Sequence, residues 1–310
     1  MRRRIYIPNE VRQSIKDHIQ HAVENARDGY LSANEDEDTM TGHLGALLRI
    51  GKQSVSVSQS EISGDWKWSI DYFKFRGRGP KATEKTIGAD GVFELQLSIG
   101  AREEIKSLLF QSKMDLSRDK SLAEQCIRLS TWREAAFVVN YKHDAFEAFS
   151  IDDVIRSRGS RPKSSTSLAD YLCDNFVDCL VGDSDLLYDA KSRKLQWRTI
   201  DGEVVATSFS LKQRISVNVE APKIGRRDSK IDNVIPNGEI HNYRMEATEE
   251  EILSVSTQHT ADELKAAMRS LSLVYHPDYS SAFDSLTQQI LKRRMQEINK
   301  AYEEVKNRRK

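Results

Sequence analysis

The chain has 310 residues with 47 basic and 47 acidic side chains, so net charge favours no polyanionic partner and any such site must be a local patch. That length predicts two domains, or one large domain with an appendage. The cysteines (Cys126, Cys173, Cys179) form no C-x-x-C pair, MRRRIYIPNE has no apolar run behind its arginines, and the longest apolar run, Ala135 to Val139, is too short to span a bilayer, which predicts a reduced, cytoplasmic protein without a membrane contact.

Residues 8–28 read as a polar helix that starts at Pro8 and carries Val11, Ile15, Ile19 and Val23 on one face. A second helix over about 36–49 gathers Met40, Leu44, Leu47 and Leu48. Strand signals follow. Ser54 to Ile62 alternates around Val55 and Val57, and Trp66, Trp68, Ile70 and Tyr72 recur at period two. A basic glycine loop, RGRGPK (76–81), precedes two apolar runs, GADGVFELQLSI (88–99) and IKSLLFQSKM (105–114). Leu116 to Leu129 reads as helix and 135–150 as a hairpin, while SRGSRPKSSTS (157–167) has the composition of a flexible loop. A helix over 168–180 and strands near 194–199, 203–210 and 213–219 come next. The polar, proline-punctuated stretch 221–239 marks a boundary, and there is no internal repeat. The expected division is a front domain over 1–220, a linker over 221–245 and an all-helical tail over 246–310.

The runs 88–99 and 105–114 flank the turn GARE. Paired antiparallel about its middle, they set position 90 opposite 113 and 92 opposite 111, with Gln111 and Lys113 on one face and Phe110 and Ser112 on the other. Asp90 then faces Lys113 and lies diagonal to Gln111. A carboxylate, an amide oxygen and an ammonium converging at one end of two apolar strands suit a metal and a phosphate. Asp90 and the Gln111 oxygen are hard ligands for Mg²⁺ or Mn²⁺, with water completing the octahedron. Such an ion acidifies a bound water and polarises the phosphate. Lys113 can orient that water or neutralise charge developing on phosphorus.

A further acid is expected from the second helix. Glu37, three residues before Met40 and seven before Leu44, is better aimed inward than Glu35 or Asp38, which gives the metal set Asp90, Gln111 and Glu37. Glu94, on the same strand face as Asp90, is a spare acid. Arg76, Arg78 and Lys81 of the basic loop are candidates for backbone phosphates, though a solvated loop has the same composition. The plain alternative for Asp90 and Lys113 is a turn-capping acid and a lysine snorkelling at a strand end. Asp183, Asp185 and the pair His143-Asp144 read as turn residues.

The order of helix acid, strands, Asp, hairpin, Q-x-K and helix covers roughly 35–150, extending toward 220. It resembles the restriction-endonuclease-like, or P-D-(D/E)-x-K, nuclease superfamily. Ala89 stands where that family has proline, and Gln111 where it more often has an acid. The resemblance implies an α/β fold, a mixed-sheet core flanked by helices, with Asp90, Gln111, Lys113 and Glu37 as catalytic residues. The implied reaction is metal-dependent endonuclease cleavage of phosphodiester bonds in DNA, with RNA as the other candidate.

In the tail, Thr260 and Glu263 form a capping box that starts a helix striped by Leu264, Ala267, Met268, Leu271 and Val274 or Tyr275. A second segment repeats the stripe with Leu291, Met295, Ile298, Ala301 and Tyr302, so the two should pack antiparallel. Between them LVYHPDYSS forces a break at Pro277 and leaves His276-Pro277-Asp278 at the hairpin tip. Motif, spacing and flanks over roughly 248–307 resemble a J-domain (DnaJ-like), a small all-helical unit. That resemblance implies docking to a DnaK-type chaperone and stimulation of its ATPase through His276, Pro277 and Asp278. The second helix, basic in most J-domains, keeps only Lys265 and Arg269, and Val274 stands where lysine is usual. Weak stimulation, or a dedicated protein partner, is the expectation.

By analogy, the pairing of modules suggests a bacterial antiviral defence effector acting as an oligomer or in a multi-protein complex. Two rival functions stay open: a co-chaperone whose front domain only binds clients or nucleic acid, and a scaffold subunit.

Overall fold

The structure is a computed structural model, which describes residues 3–33, 36–60, 62–75, 88–116, 122–157, 162, 164–189, 191–192, 194–198, 204–206, 211–223, 238–240, 247–276 and 285–308. In chain order, strand β1 (Arg3–Ile5) leads into helix α1 (Asn9–Asp28), a short α2 (Tyr30–Ala33) and α3 (Glu37–Leu48). Pro8 precedes α1, where its missing amide hydrogen costs nothing, and Val11, Ile15, Ile19, Ala22, Val23 and Ala26 form its buried stripe. Strands β2 (Ile50–Val57), β3 (Gly64–Lys74), β4 (Gly91–Ile99) and β5 (Arg102–Lys113) follow, then α4 (Leu122–Leu129) and a 3₁₀ stretch.

The chain continues as a hairpin of β6 (Ala136–Tyr141) and β7 (Phe146–Ser150), then α5 (Ile151–Ser157) and β8 (Thr166–Ser167). Helix α6 opens at Leu168–Asp170 and widens into a π-helical segment, Tyr171–Val177. Strands β9 (Leu186–Asp189), β10 (Lys194–Arg198) and β11 (Val204–Ala206) make a separate small sheet. Strands β12 (Gln213–Glu220) and β13 (Gly238–Ile240) come next, then helices α7 (Glu249–Leu253), α8 (Ala261–Tyr275) and α9 (Ser285–Asn307).

Among the described residues the main sheet has eight strands in the order β2-β3-β12-β4-β5-β6-β7-β8. It is mixed: β4 runs parallel to β12 and antiparallel to β5, and β5 runs parallel to β6 after the crossover through α4. Alternate side chains of the central strands feed two cores. Phe93, Leu95, Phe110 and Phe137 pack toward α1, α3 and α6, whereas Val92, Leu109 and Val138 pack toward α4 and α5. Burial on both faces explains why these strands read as nearly continuous apolar runs. The fold is therefore α/β, with a large mixed sheet and a C-terminal helical region.

Several expectations change. The β4–β5 hairpin pairs Ile99 with Arg102 and Gly91 with Phe110, a two-residue shift from the register centred on GARE. The turn is tighter because Gly100 takes φ +59°, a left-handed conformation that glycine adopts without strain. Strand β9 went unanticipated, and β2 begins at Ile50 rather than Ser54. Part of the expected linker, β13, pairs with β1 near the N-terminus, Arg3 with Ile240. The helical tail is not held apart from the sheet domain. Leu264, Leu271, Tyr275, Leu291 and Ile298 belong to the same apolar cluster as Leu122, Ile127 and Val154, and Tyr275 Oη donates to Asp152 Oδ1 of α5 at 3.2 Å.

Candidate active site

Four strand ends meet at one edge of the main sheet. β4 and β12 begin there side by side, Gln213 beside Gly91, while β3 and β5 end there at Lys74 and Lys113. Asp90, immediately before β4, is held by its own backbone: its amide donates to Phe110 O at 2.8 Å and its carbonyl accepts from Lys212 N at 3.2 Å. Its buried carboxylate is the hub. Oδ2 accepts from Gln111 Nε2 at 2.6 Å, Ser112 N at 2.9 Å and Ser112 Oγ at 2.8 Å, and Oδ1 accepts from Lys212 Nζ at 3.1 Å.

Gln111 is wholly buried, and its amide orientation is set by two acceptors, Asp90 Oδ2 and Ser112 O at 3.3 Å. Turning the amide over would aim its oxygen at both of them. Among the described residues Oε1 is consequently buried without a hydrogen-bond partner. Leaving such an oxygen unmet costs about 1–3 kcal/mol.

Helix α3 brings the second acid. Asp36 caps it by accepting from Thr39 N at 2.7 Å, an interaction that holds the Asp36 carboxyl below its ordinary pKa. Gly45 lets the helix lie on β3, because a Cβ there would meet the Tyr72 ring at 2.4 Å. The first turn then hangs over the sheet edge, and Glu37 Oε2 sits 3.8 Å from the buried Lys113 Nζ. Thr41 Oγ1 donates to Glu37 O at 2.7 Å and lies 3.1 Å from Tyr141 Oη. Burial, with nearby Asp90 adding to it, raises the Tyr141 pKa, so its proton is firmly held. Around this, Gln213 Nε2 donates to Asp38 Oδ1 at 2.9 Å and Tyr72 Oη donates to Gln213 Oε1 at 3.0 Å. Burial and then Asp38 push the Tyr72 phenol up to about 12.

The four residues expected from sequence lie at this end of the sheet as two contacting pairs, Asp90 with Gln111 and Lys113 with Glu37, with corrected details. In the shifted register Asp90 lies beside Gln111 rather than across from Lys113, and a slip of two residues leaves each side chain on its face. Ser112, assigned to the opposite face, reaches Asp90 with both its amide and its hydroxyl. Glu94 is no spare acid. It is buried against Arg214 and accepts from Tyr188 N at 3.1 Å; burial raises its pKa and Arg214 opposes the rise. Asp183 pairs its backbone with Ser107 at an isolated bridge. Arg76, Arg78 and Lys81 lie outside the described residues, as do Pro277 and Asp278.

Lys212 and Gln213 were missed. Their signal was a polar pair opening an apolar strand, as Asp90 opens β4, but only the sheet order shows that β12 adjoins β4. Among the described residues no three His, Cys, Asp or Glu side chains gather as metal ligands. The donor set that fits a hard cation is thus two carboxylates and the orphaned Gln111 oxygen, completed by water. Lys113 must release Glu37 for the second carboxylate to take part.

At the other end, α8 stops at Tyr275, and the extended His276 donates its amide to Ser272 O at 3.0 Å. Lys265, Arg269 and Ser270 are exposed on α8, and His276 is half-buried. Val274 packs on the apolar cluster while Leu273 is exposed, so the open position for added charge is 273, not 274. No described helix is long and apolar enough to cross a membrane.

Residues 251–310 match the DnaJ domain family, so the chain carries a J-domain, which implies a DnaK-type chaperone as partner. The match covers none of the front domain. Neither a search of curated proteins nor one of solved structures returns a match.

Proposed function

We propose that the front domain is a metal-dependent nuclease, and that the J-domain docks it to a chaperone or a dedicated protein partner. The observation that carries this reading is the buried, unpartnered Gln111 Oε1 beside Asp90, with Lys113 and Glu37 at the same sheet edge. A structural sheet gains nothing from such a group. Asp90, Gln111 and Glu37 would hold Mg²⁺ or Mn²⁺, which supplies an acidified water and a polarised phosphate. Ser112 fixes the Asp90 carboxylate through Oδ2, which leaves Oδ1, held by Lys212, as the oxygen a cation would take. Lys113 places positive charge where the phosphate gains negative charge in an in-line attack. Tyr72 and Gln213 brace α3 through Asp38 and keep Glu37 over the site.

The test incubates purified protein with plasmid, linear and single-stranded DNA and with RNA, with and without Mg²⁺ or Mn²⁺. Divalent-dependent cleavage should appear in wild type and fall at least about 10²-fold in both Asp90→Ala and Lys113→Ala, assayed at a temperature where circular dichroism shows each variant still folded. Equal cleavage by wild type and both variants removes the assignment. A defence role remains part of the proposal by analogy alone. The co-chaperone reading draws on the J-domain match, and ATPase stimulation without any cleavage would favour it.

A further inference from the structure

The two oxygens of Asp90 are not equivalent. Oδ2 is occupied by Gln111 Nε2, Ser112 N and Ser112 Oγ, whereas among the described residues Oδ1 takes one hydrogen bond, from Lys212 Nζ at 3.1 Å. A cation binding Asp90 must therefore approach Oδ1, where the Lys212 ammonium already sits. The lysine's backbone is fixed, since Lys212 N donates to Asp90 O at 3.2 Å and Lys212 O accepts from Phe75 N at 2.6 Å. Its side chain is a quarter exposed, at 25%, so part of it borders solvent rather than packed protein.

We infer that Lys212 is a second lysine of the site, holding the Oδ1 position until a divalent cation displaces it and then contacting a non-bridging oxygen of the bound phosphate. This rests on the nuclease reading above. Its geometry follows from the tether: an anchored Lys212 stays within side-chain reach of Asp90, and so of any phosphate that shares the cation. Lys113 approaches from β5 beside Gln111, whereas Lys212 approaches from β12. The two ammonium groups would flank the phosphate from the strands on either side of β4. The ligand class is a phosphodiester on a hard divalent ion.

The signature separates this role from simple support of Asp90, because a competitor and a positioning residue have opposite effects on metal affinity. Full-length wild type, Lys212→Met, Lys212→Gln and Asp90→Ala are titrated with Mn²⁺ by electron paramagnetic resonance and assayed on plasmid DNA. Lys212→Met should bind Mn²⁺ up to about fivefold more tightly, the equivalent of a partly exposed ion pair. The same variant should cleave about 10²-fold more slowly at saturating metal. Lys212→Gln keeps much of the stem and serves if the methionine variant does not fold. Loss of Mn²⁺ in Asp90→Ala, together with unchanged or weaker binding or wild-type cleavage in both Lys212 variants, overturns this inference alone. Wild-type Mn²⁺ affinity in Asp90→Ala overturns the nuclease reading with it.

Discussion

The sheet edge and the outer face of α8 handle charge in opposite ways. At the edge, Asp90, Lys113 and Gln111 are buried, and each is fixed by groups from other segments. On α8, Lys265 and Arg269 stand in solvent. Buried charges need their partners, so removing one leaves the other stranded and the loss is large. Exposed charges lose little when removed from the isolated protein and matter only when a partner arrives. The first arrangement suits chemistry at a fixed point and the second suits docking.

The sharpest break of this contrast is Arg214→Met. It strands Glu94, whose side chain is 1% exposed, and should cost about 3–5 kcal/mol in urea unfolding at neutral pH. Lys265→Met on α8 should change the same measurement by less than about 0.5 kcal/mol. Comparable losses in both would show that the two regions do not differ as described.

A second test reads docking instead. Reversing charge with Lys265→Glu and Arg269→Glu should weaken stimulation of a DnaK-type ATPase by about one to two orders of magnitude. DNA cleavage in the same protein should stay within about twofold, because these side chains are exposed on α8 and are no part of the sheet-edge cluster. If cleavage fell with stimulation, the two modules would not be separable. Adding charge should work in the other direction. Ser270→Lys with Leu273→Lys should raise stimulation by about tenfold, and an unchanged ATPase rate would point to a partner other than a DnaK-type chaperone.

The smallest effect concerns the seam between the regions. Tyr275→Phe removes the hydroxyl that reaches Asp152 on α5 and leaves the ring in place. It should cost about 1 kcal/mol. Hydrogen exchange over α5 and α8 should rise together in that variant; protection unchanged in both would show that this contact does not couple them.

How much was legible in advance differs between the regions for a physical reason. The J-domain's signals are local: a capping box at Thr260, a stripe at helical spacing and a proline that must end the helix. Local rules place such residues without knowledge of the rest of the chain. The four front-site residues were reached through alternation and helix periodicity, which fix a side chain's face even when the register is two residues off. By itself the sequence thus determined the longer helices, the apolar strands of the central sheet and the faces on which Glu37, Asp90, Gln111 and Lys113 lie, but not the short helices α2 and α5. Tertiary structure alone decided that β12 enters between β3 and β4, which carries Lys212 and Gln213 to Asp90 and Asp38 from far along the chain. It also decided that Glu94 is taken by Arg214 and that Tyr275 reaches α5. Strand order and domain packing depend on long-range burial of apolar faces, and no short stretch of chain encodes its distant neighbours.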